Sequence, residues 1–398
     1  MIHRRSDATA GTRVLRIITR LNIGGPSIHA VTLSSALTPL GFETRLLHGR
    51  VGAGEGDMDY LLQLEHVEST FVPTLQRSIA PMADLRTLLA LLRHMRRFRP
   101  HIVHTHMAKA GLLGRSAACL FNILHPRSRA IVIHTYHGHV LDGYFSRTMT
   151  AMFIGLERML ARVSDVLIAV SPRVRDELVQ RHHIGSAAQF QVVPLGLDLD
   201  AYARIDEDDR RQARQALDLP PNVPVVTTVG RLTAIKQHSL FLDVAHRIAG
   251  VHPHAIFLIA GDGELRSDLE AQAERLGLSS RVRFLGWRRD LTTLYGATDV
   301  FLLTSRNEGT PVALIEAMAA GVAGVATDVG GVRDVLDDPD LVRPFGDAEG
   351  LAESVLRLLR DPERRAAAAD SGRRASLARF HFRRLRDDIA ALYRTLLE

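Results

Sequence analysis

Cysteine is almost missing from this 398-residue chain. The single Cys119 leaves no internal disulfide and no thiolate-built metal site, which fits a reducing compartment. Lysine is nearly as scarce: of 50 basic residues only Lys109 and Lys236 are lysines, and the rest are arginine. In such a chain a lysine is expected where a compact ammonium serves better than a planar fork. Long apolar runs are lacking too. No stretch of about 18 apolar residues occurs, so no membrane-spanning helix is expected. The most apolar window, Val312 to Ala326, carries Glu316 in its middle. Met1 to Gly24 is basic and then alternates like a strand, without the continuous apolar segment of a signal peptide. The expected location is the cytoplasm.

What is present is a globular composition, 46% hydrophobic and 24% charged, long enough for two or three domains. The net charge of +6 is unevenly spread: residues 1–190 hold 23 Lys+Arg against 13 Asp+Glu, and the remainder has a small acidic excess. A basic half implies an anionic partner such as nucleic acid, a phosphorylated substrate or an anionic lipid surface, unless the arginines serve only solubility.

Short β-branched runs alternate with amphipathic helical patterns. Strands are expected at 14–19, 44–47, 102–105, 130–134 and 166–170, and again at 225–229, 255–260, 282–285, 300–304 and 324–327. Leu85 to Phe98 and Thr148 to Val163 read as helices between them. The acidic stretch from Gly196 to Pro221 reads as a linker. The pattern predicts an α/β chain of two Rossmann-like domains facing a cleft: 1–195, 196–375 and a C-terminal helix over 376–398 that packs back on the first domain. Ligands of such sheets lie at the carboxyl ends of the strands, so the chemistry is sought in the loops that follow them.

Three of those loops stand out in the second half. Ser305-Arg-Asn-Glu308-Gly309-Thr310-Pro311-Val312 follows a strand and opens a helix, with Thr310 expected as its N-cap and Pro311 as its first residue. The free N–H groups from Val312 to Leu314 then form an anion site, flanked by Glu308 and by Glu316, carboxylates suited to sugar and ribose hydroxyls. Gly230-Arg231-Leu-Thr-Ala-Ile-Lys236 can clamp a diphosphate, Arg231 through its fork and Lys236 as a point charge. Gly261-Asp-Gly263-Glu264 lacks the third glycine of a dinucleotide fingerprint, because Arg266 stands there.

In the first half, Gly24-Gly25-Pro26-Ser27 opens a helix, with Ser27 as a possible cap and the glycines allowing close approach to a phosphate. His104-Thr-His106 and His134-Thr-Tyr-His137-Gly138-His139 end two strands. Alternate strand residues point to opposite faces and no carboxylate or cysteine completes a set, so no metal is expected there; His137 is expected near the reacting centre. Asp57-Met-Asp59 and Asp198-Leu-Asp200 match a manganese-chelating pattern, but neither follows a buried strand that would aim both carboxylates.

Together these segments resemble glycosyltransferase family 4 (group 1), retaining enzymes of GT-B fold, and within it a bacterial polysaccharide-assembly subgroup. The resemblance rests on Glu308-x7-Glu316 with Thr327-Asp-Val-Gly-Gly331, on Gly230-Arg231-Leu with Lys236, on Gly24-Gly25 and on His137-Gly138. It implies that Arg231 and Lys236 bind the donor diphosphate and Glu316 the ribose. It also implies that Glu308 and the backbone after it hold the donor sugar and that His137 lines the sugar pocket. Two departures are Pro26 after the glycines and Ala323-Gly324 inside a strand, where glycine is expected to cost roughly 0.5–1 kcal/mol.

The implied reaction is metal-independent transfer of a hexosyl unit from a UDP-sugar, or else GDP-mannose, to a saccharide or lipid-linked acceptor, without a cofactor. Front-face displacement is favoured, since no carboxylate stands out as a nucleophile. A nucleotide-sugar epimerase and a non-catalytic partner subunit are the competing readings; nucleic acid is not an expected partner. The basic end of the 85–98 helix, Arg93 to Arg99, is expected to rest with Met95 and Phe98 on an anionic leaflet at the inner face of the membrane, with Lys109 close by and the leucines in the core.

Overall fold

The computed structural model describes residues 11–52, 55–137 and 147–398. The chain divides into two compact units, residues 1–197 with 382–398, and residues 198–381.

The first unit is built on seven parallel strands: β1 (Thr12–Ile18), β2 (Phe42–His48), β3 (Ser69–Phe71), β4 (Ile102–His106), β5 (Ile131–Tyr136), β6 (Val166–Ala169) and β7 (Phe190–Val192). Their spatial order is 3-2-1-4-5-6-7. β1 runs beside β2 with Val14 opposite Thr44, and beside β4 with Val14 opposite Ile102. Helices cover both faces. On one, Leu91, Met95 and Phe98 of Pro81–Phe98 and Leu113, Ala117 and Phe121 of Ala108–Leu124 pack on Leu15, Ile17 and Val103. On the other, Leu33 and Leu37 of Gly25–Leu37 meet Leu385, Ile389 and Tyr393 of Phe382–Leu397 over Val14 and Ile102. The four-residue spacing of 385, 389 and 393 makes one apolar stripe, which is why this last helix docks there. Gly196 lets it approach: a Cβ at that position would lie 2.4 Å from Leu385 Cβ.

The second unit carries six parallel strands: β8 (Val225–Val229), β9 (Ile256–Ala260), β10 (Val282–Gly286), β11 (Val300–Leu303), β12 (Ala323–Thr327) and β13 (Val342–Arg343), in the order 10-9-8-11-12-13. Five of the six were visible as β-branched runs, because strands covered on both faces are apolar throughout.

Several expectations are corrected. The 196–221 stretch is not a linker but contains the helix Glu207–Ala216, opened by a capping box between Asp206 and Asp209. Its outward face is so densely charged that only Ala213, Leu217 and Leu219 betray the core contact. The C-terminal boundary lies at 381/382 rather than 375/376, because the helix Pro362–Phe380 runs unbroken through that point. Gly324 also makes room for its neighbour: a Cβ there would lie 2.5 Å from Leu314 Cδ1 of the Val312–Ala319 helix packed on β12.

Candidate active site

In both sheets the strand order reverses at one point, between β1 and β4 and between β8 and β11, and the loops leaving these strands are where a doubly wound sheet binds ligands. In the second unit they are 230–237 after β8 and 304–311 after β11. The structure joins them. Lys236 Nζ donates to Glu308 Oε1 at 2.6 Å, and Ser305 Oγ donates to the same oxygen at 2.5 Å. Thr304 Oγ1 donates to the Gln237 carbonyl at 3.0 Å, and Arg306 N–H to that of Ile235 at 2.8 Å. Glu308 is 8% exposed, and its backbone carbonyl takes the Gly331 N–H at 3.0 Å. Gly330 has φ +50°, and a Cβ on it would lie 1.7 Å from that same carbonyl, so the Gly330-Gly331 turn is locked under Glu308.

Arg231 is exposed, and its guanidinium has no ion-pair partner among the described residues. Lys236 and Glu308 thus form an ion pair, while Arg231 stands apart from it on the exposed loop. The turn that follows Glu308 differs in detail from expectation. Pro311, not Thr310, is the N-cap of Val312–Ala319, and the Thr310 hydroxyl is buried without a partner. Val312 N–H bonds to the Thr310 carbonyl and Leu314 N–H to that of Pro311, at 3.0 and 3.1 Å. The N–H groups free of a backbone partner among the described residues are those of Gly309, Thr310 and Ala313. The unpartnered N–H groups therefore begin nearer the loop than expected.

Glu316 lies further along the helix, and its carboxylate accepts from Tyr295 OH at 3.1 Å, with the Tyr202 hydroxyl also acting on it. Loss of hydration raises its pKa from 4.5 to about 7, against the two hydroxyls, which favour the ionised form. Sequence reading missed both tyrosines: Tyr202 sits in the presumed linker and Tyr295 in a helix with no motif of its own. Asp57 and Asp198 are turn formers, each Oδ1 accepting the N–H two residues on, Asp59 at 2.6 Å and Asp200 at 3.2 Å.

In the first unit, Gly24 precedes the Gly25–Leu37 helix with φ 151°, a conformation open to glycine. Ser27 does not cap this helix; its hydroxyl donates to the Asn22 carbonyl at 2.6 Å. His106 ends β4 and His137 follows β5, with His106 Nδ1 and His137 Nε2 3.0 Å apart. His29, which sequence reading passed over, completes the group from the helix after β1. Burial pulls His137 down to about 3 and His29 and His106 well below their usual range, so all three imidazoles are neutral at pH 7. His104 and His134 are satisfied elsewhere: His104 lies between Tyr393 OH and Thr135 Oγ1 at 2.6 and 2.7 Å, and His134 bonds Thr105 Oγ1 at 2.8 Å. Gly138, which contributed to the resemblance, and His139 lie outside the described residues.

The surface helix Pro81–Phe98 also turns out differently. Met95 and Phe98 are core, whereas Leu85 and Leu89 are exposed beside Met82 and Ile79. Lys109 faces no open surface: its ammonium bonds Asp84 at 2.5 Å, pinning two helices together.

Two family models match the chain: Glycosyltransferase Family 4 over residues 23–201 and Glycosyl transferases group 1 over 209–375. The UDP-Gal:alpha-D-GlcNAc-diphosphoundecaprenol alpha-1,3-galactosyltransferase of Escherichia coli is 32% identical over 271 residues, 67% of this chain and 68% of that one. The alpha-D-kanosaminyltransferase of Streptomyces kanamyceticus is 27% identical over 78% of this chain and 82% of its own. Among solved structures, Anabaena Alr3699/HepE in complex with UDP and glucose superposes with a TM-score of 0.82 at 21% identity, over 96% of this chain and 100% of that one.

Proposed function

The chain belongs to the glycosyltransferases of group 1 and family 4, with the GT-B fold, and from that premise we propose that it is a retaining hexosyltransferase of bacterial cell-surface polysaccharide or glycolipid synthesis. Its donor is a UDP-sugar before GDP-mannose, and its acceptor a saccharide or lipid-linked saccharide. The observation that carries this reading is the cluster around the β8/β11 switch point: exposed Arg231, the Lys236–Glu308 pair and the three free N–H groups that follow it.

Transfer develops negative charge on the departing diphosphate. Arg231, Lys236 and the cradle of Gly309, Thr310 and Ala313 meet that charge with fixed positive groups, so no divalent ion is needed at the diphosphate. Glu308, buried and already aligned by Lys236 and Ser305, accepts from donor-sugar hydroxyls. Glu316 accepts from the ribose. Val312 and Leu314 hold the helix end in place through their turn bonds, with Pro311 as its cap. His137 and the Gly24-Gly25 turn serve the sugar side in the first unit. With no carboxylate assigned as nucleophile, the departing phosphate takes the acceptor proton on the same face. The UDP in the Anabaena complexes and the UDP-Gal in the Escherichia coli relative's name support the choice of nucleotide.

We assign peripheral membrane contact to the exposed strip Met82, Leu85 and Leu89 with Arg86, Arg93 and Arg97 on the same helix.

A panel of UDP-, GDP- and ADP-sugars tested by thermal shift checks the donor. A UDP-sugar present at 100 times its Kd is expected to stabilise the fold by about 2.7 kcal/mol, equally with EDTA or manganese present. Absence of any nucleotide-sugar shift, or UDP binding that requires manganese, would overturn this reading.

A further inference from the structure

We propose that His29, His106 and His137 form a three-imidazole site for a divalent ion of the zinc class. The three side chains come from separate elements, the Gly25–Leu37 helix, the end of β4 and the residue after β5, and their ligand nitrogens all lie within 4.8 Å of one another. In a tetrahedral zinc site with Zn–N near 2.0–2.1 Å, neighbouring ligand atoms are about 3.3 Å apart. His106 Nδ1 and His137 Nε2 share a hydrogen bond at 3.0 Å, close to one such edge, and an ion there takes the place of the shared proton. The His29 ring centroid lies 5.4 Å from that of His106 and 4.9 Å from that of His137, so a small rotation brings its nitrogen to the third corner.

Burial makes the arrangement costly without an occupant. His29 is 1% exposed and neither of its nitrogens has a partner among the described residues; His106 Nε2 and His137 Nδ1 are also unpartnered. A buried imidazole without hydrogen bonds is costly, and at His29 both nitrogens are in that state; the other two orphans are the far ring nitrogens of the bonded His106–His137 pair. Buried His104, bonded through both of its nitrogens, shows the contrast with His29. An ion that accepts lone pairs resolves the conflict.

Imidazole-only donors favour zinc, copper or nickel over magnesium and calcium, which want oxygen. The set contains no carboxylate, and the charge of Arg16 acts on His29 and His106. The fourth ligand is therefore an anion, hydroxide or a phosphate oxygen, rather than neutral water. With Nε2 on the ion, His137 carries its proton on Nδ1 and remains a donor toward a sugar hydroxyl. The three histidines belong to the first unit, and the Arg231–Lys236–Glu308 cluster to the second.

The test uses the full chain loaded with zinc, desalted and analysed by elemental mass spectrometry, with cobalt(II) as a visible reporter. One ion per chain and the intense ligand-field bands of a four- or five-coordinate cobalt site are expected. His29→Asn and His106→Gln are each expected to abolish stoichiometric binding, while His134→Asn keeps it. Circular dichroism verifies that each variant is folded; should the variants unfold, the cobalt spectrum of the unaltered chain decides. Absence of zinc after desalting, weak octahedral cobalt bands, or full binding by folded His29→Asn and His106→Gln would overturn the proposal, the last by assigning the metal to surface histidines. None of these readouts involves sugar transfer, so they stand or fall apart from the reading of the second unit.

Discussion

Each of the chain's two lysines bonds a single carboxylate, Lys109 to Asp84 and Lys236 to Glu308, but only the second lies in a loop leaving a switch-point strand. Arg231, a few residues before it, has no partner among the described residues, and the difference separates two variants. Arg231→Ala is expected to lower kcat/KM by an amount worth roughly 2–4 kcal/mol while leaving urea stability unchanged. Lys236→Ala is expected to lower turnover by a similar amount and to cost about 1–3 kcal/mol of stability as well, because Glu308 is left buried with only Ser305 on that oxygen. Equal urea midpoints for the two variants would contradict the ion pair. Glu316 supplies a pH test. Its carboxyl, raised from 4.5 to about 7, binds a proton in the folded chain before it does in the unfolded one. Its contribution to stability therefore declines as pH rises from about 4.5 to about 7 and is level above that. Donor affinity runs the other way, since the ribose hydroxyls need the ionised form: the donor Kd is expected to fall between pH 6 and pH 8. Glu316→Gln is expected to flatten that titration, and a wild-type donor Kd independent of pH would count against ribose recognition by this group.

At the level of single elements, pattern predicts existence better than orientation. The 85–98 periodicity gives a helix, and the observed one is Pro81–Phe98. Yet its leucines recur on nearly every turn position, and composition alone does not choose between the stripe of Leu91, Met95 and Phe98, which is buried, and that of Met82, Leu85 and Leu89, which is not. The neighbouring helix decides, through Leu113, Ala117 and Phe121. The exposed stripe continues into Arg93 and Arg97, so apolar and basic surface share one face. Co-sedimentation with anionic vesicles is expected to weaken with salt and to drop further in Leu85→Gln/Leu89→Gln, which should leave the fold intact. Each arginine changed to glutamine should remove about 1 kcal/mol. Identical recovery on neutral and anionic vesicles would leave this face as ordinary solvent surface. The edge strands β3, β7 and β13 stayed hidden for another reason: each has two or three residues, too few for any period to register.

Over the whole molecule, what could be read in advance was whatever a short segment carries by itself. Glu308 and Lys236 were legible because each lies in its own post-strand motif, although their bond spans two loops. His29, Tyr202 and Tyr295 were not, because each acquires its role only from a partner in a distant segment. The C-terminal helix belongs to the same class: its apolar stripe announces a contact without saying with what. Its place has a consequence for how the protein is made. The second unit is continuous in the chain, so all of it has been synthesised before Leu385, Ile389 and Tyr393 are added. The first unit, although begun earlier, then still lacks the cover over Val14 and Ile102 and the hydroxyl that bonds buried Arg16 and His104. A ribosome that stalls between codons 382 and 393 would therefore leave a chain whose second unit is finished and whose first is still open, a target for chaperones and proteases before it can meet a substrate.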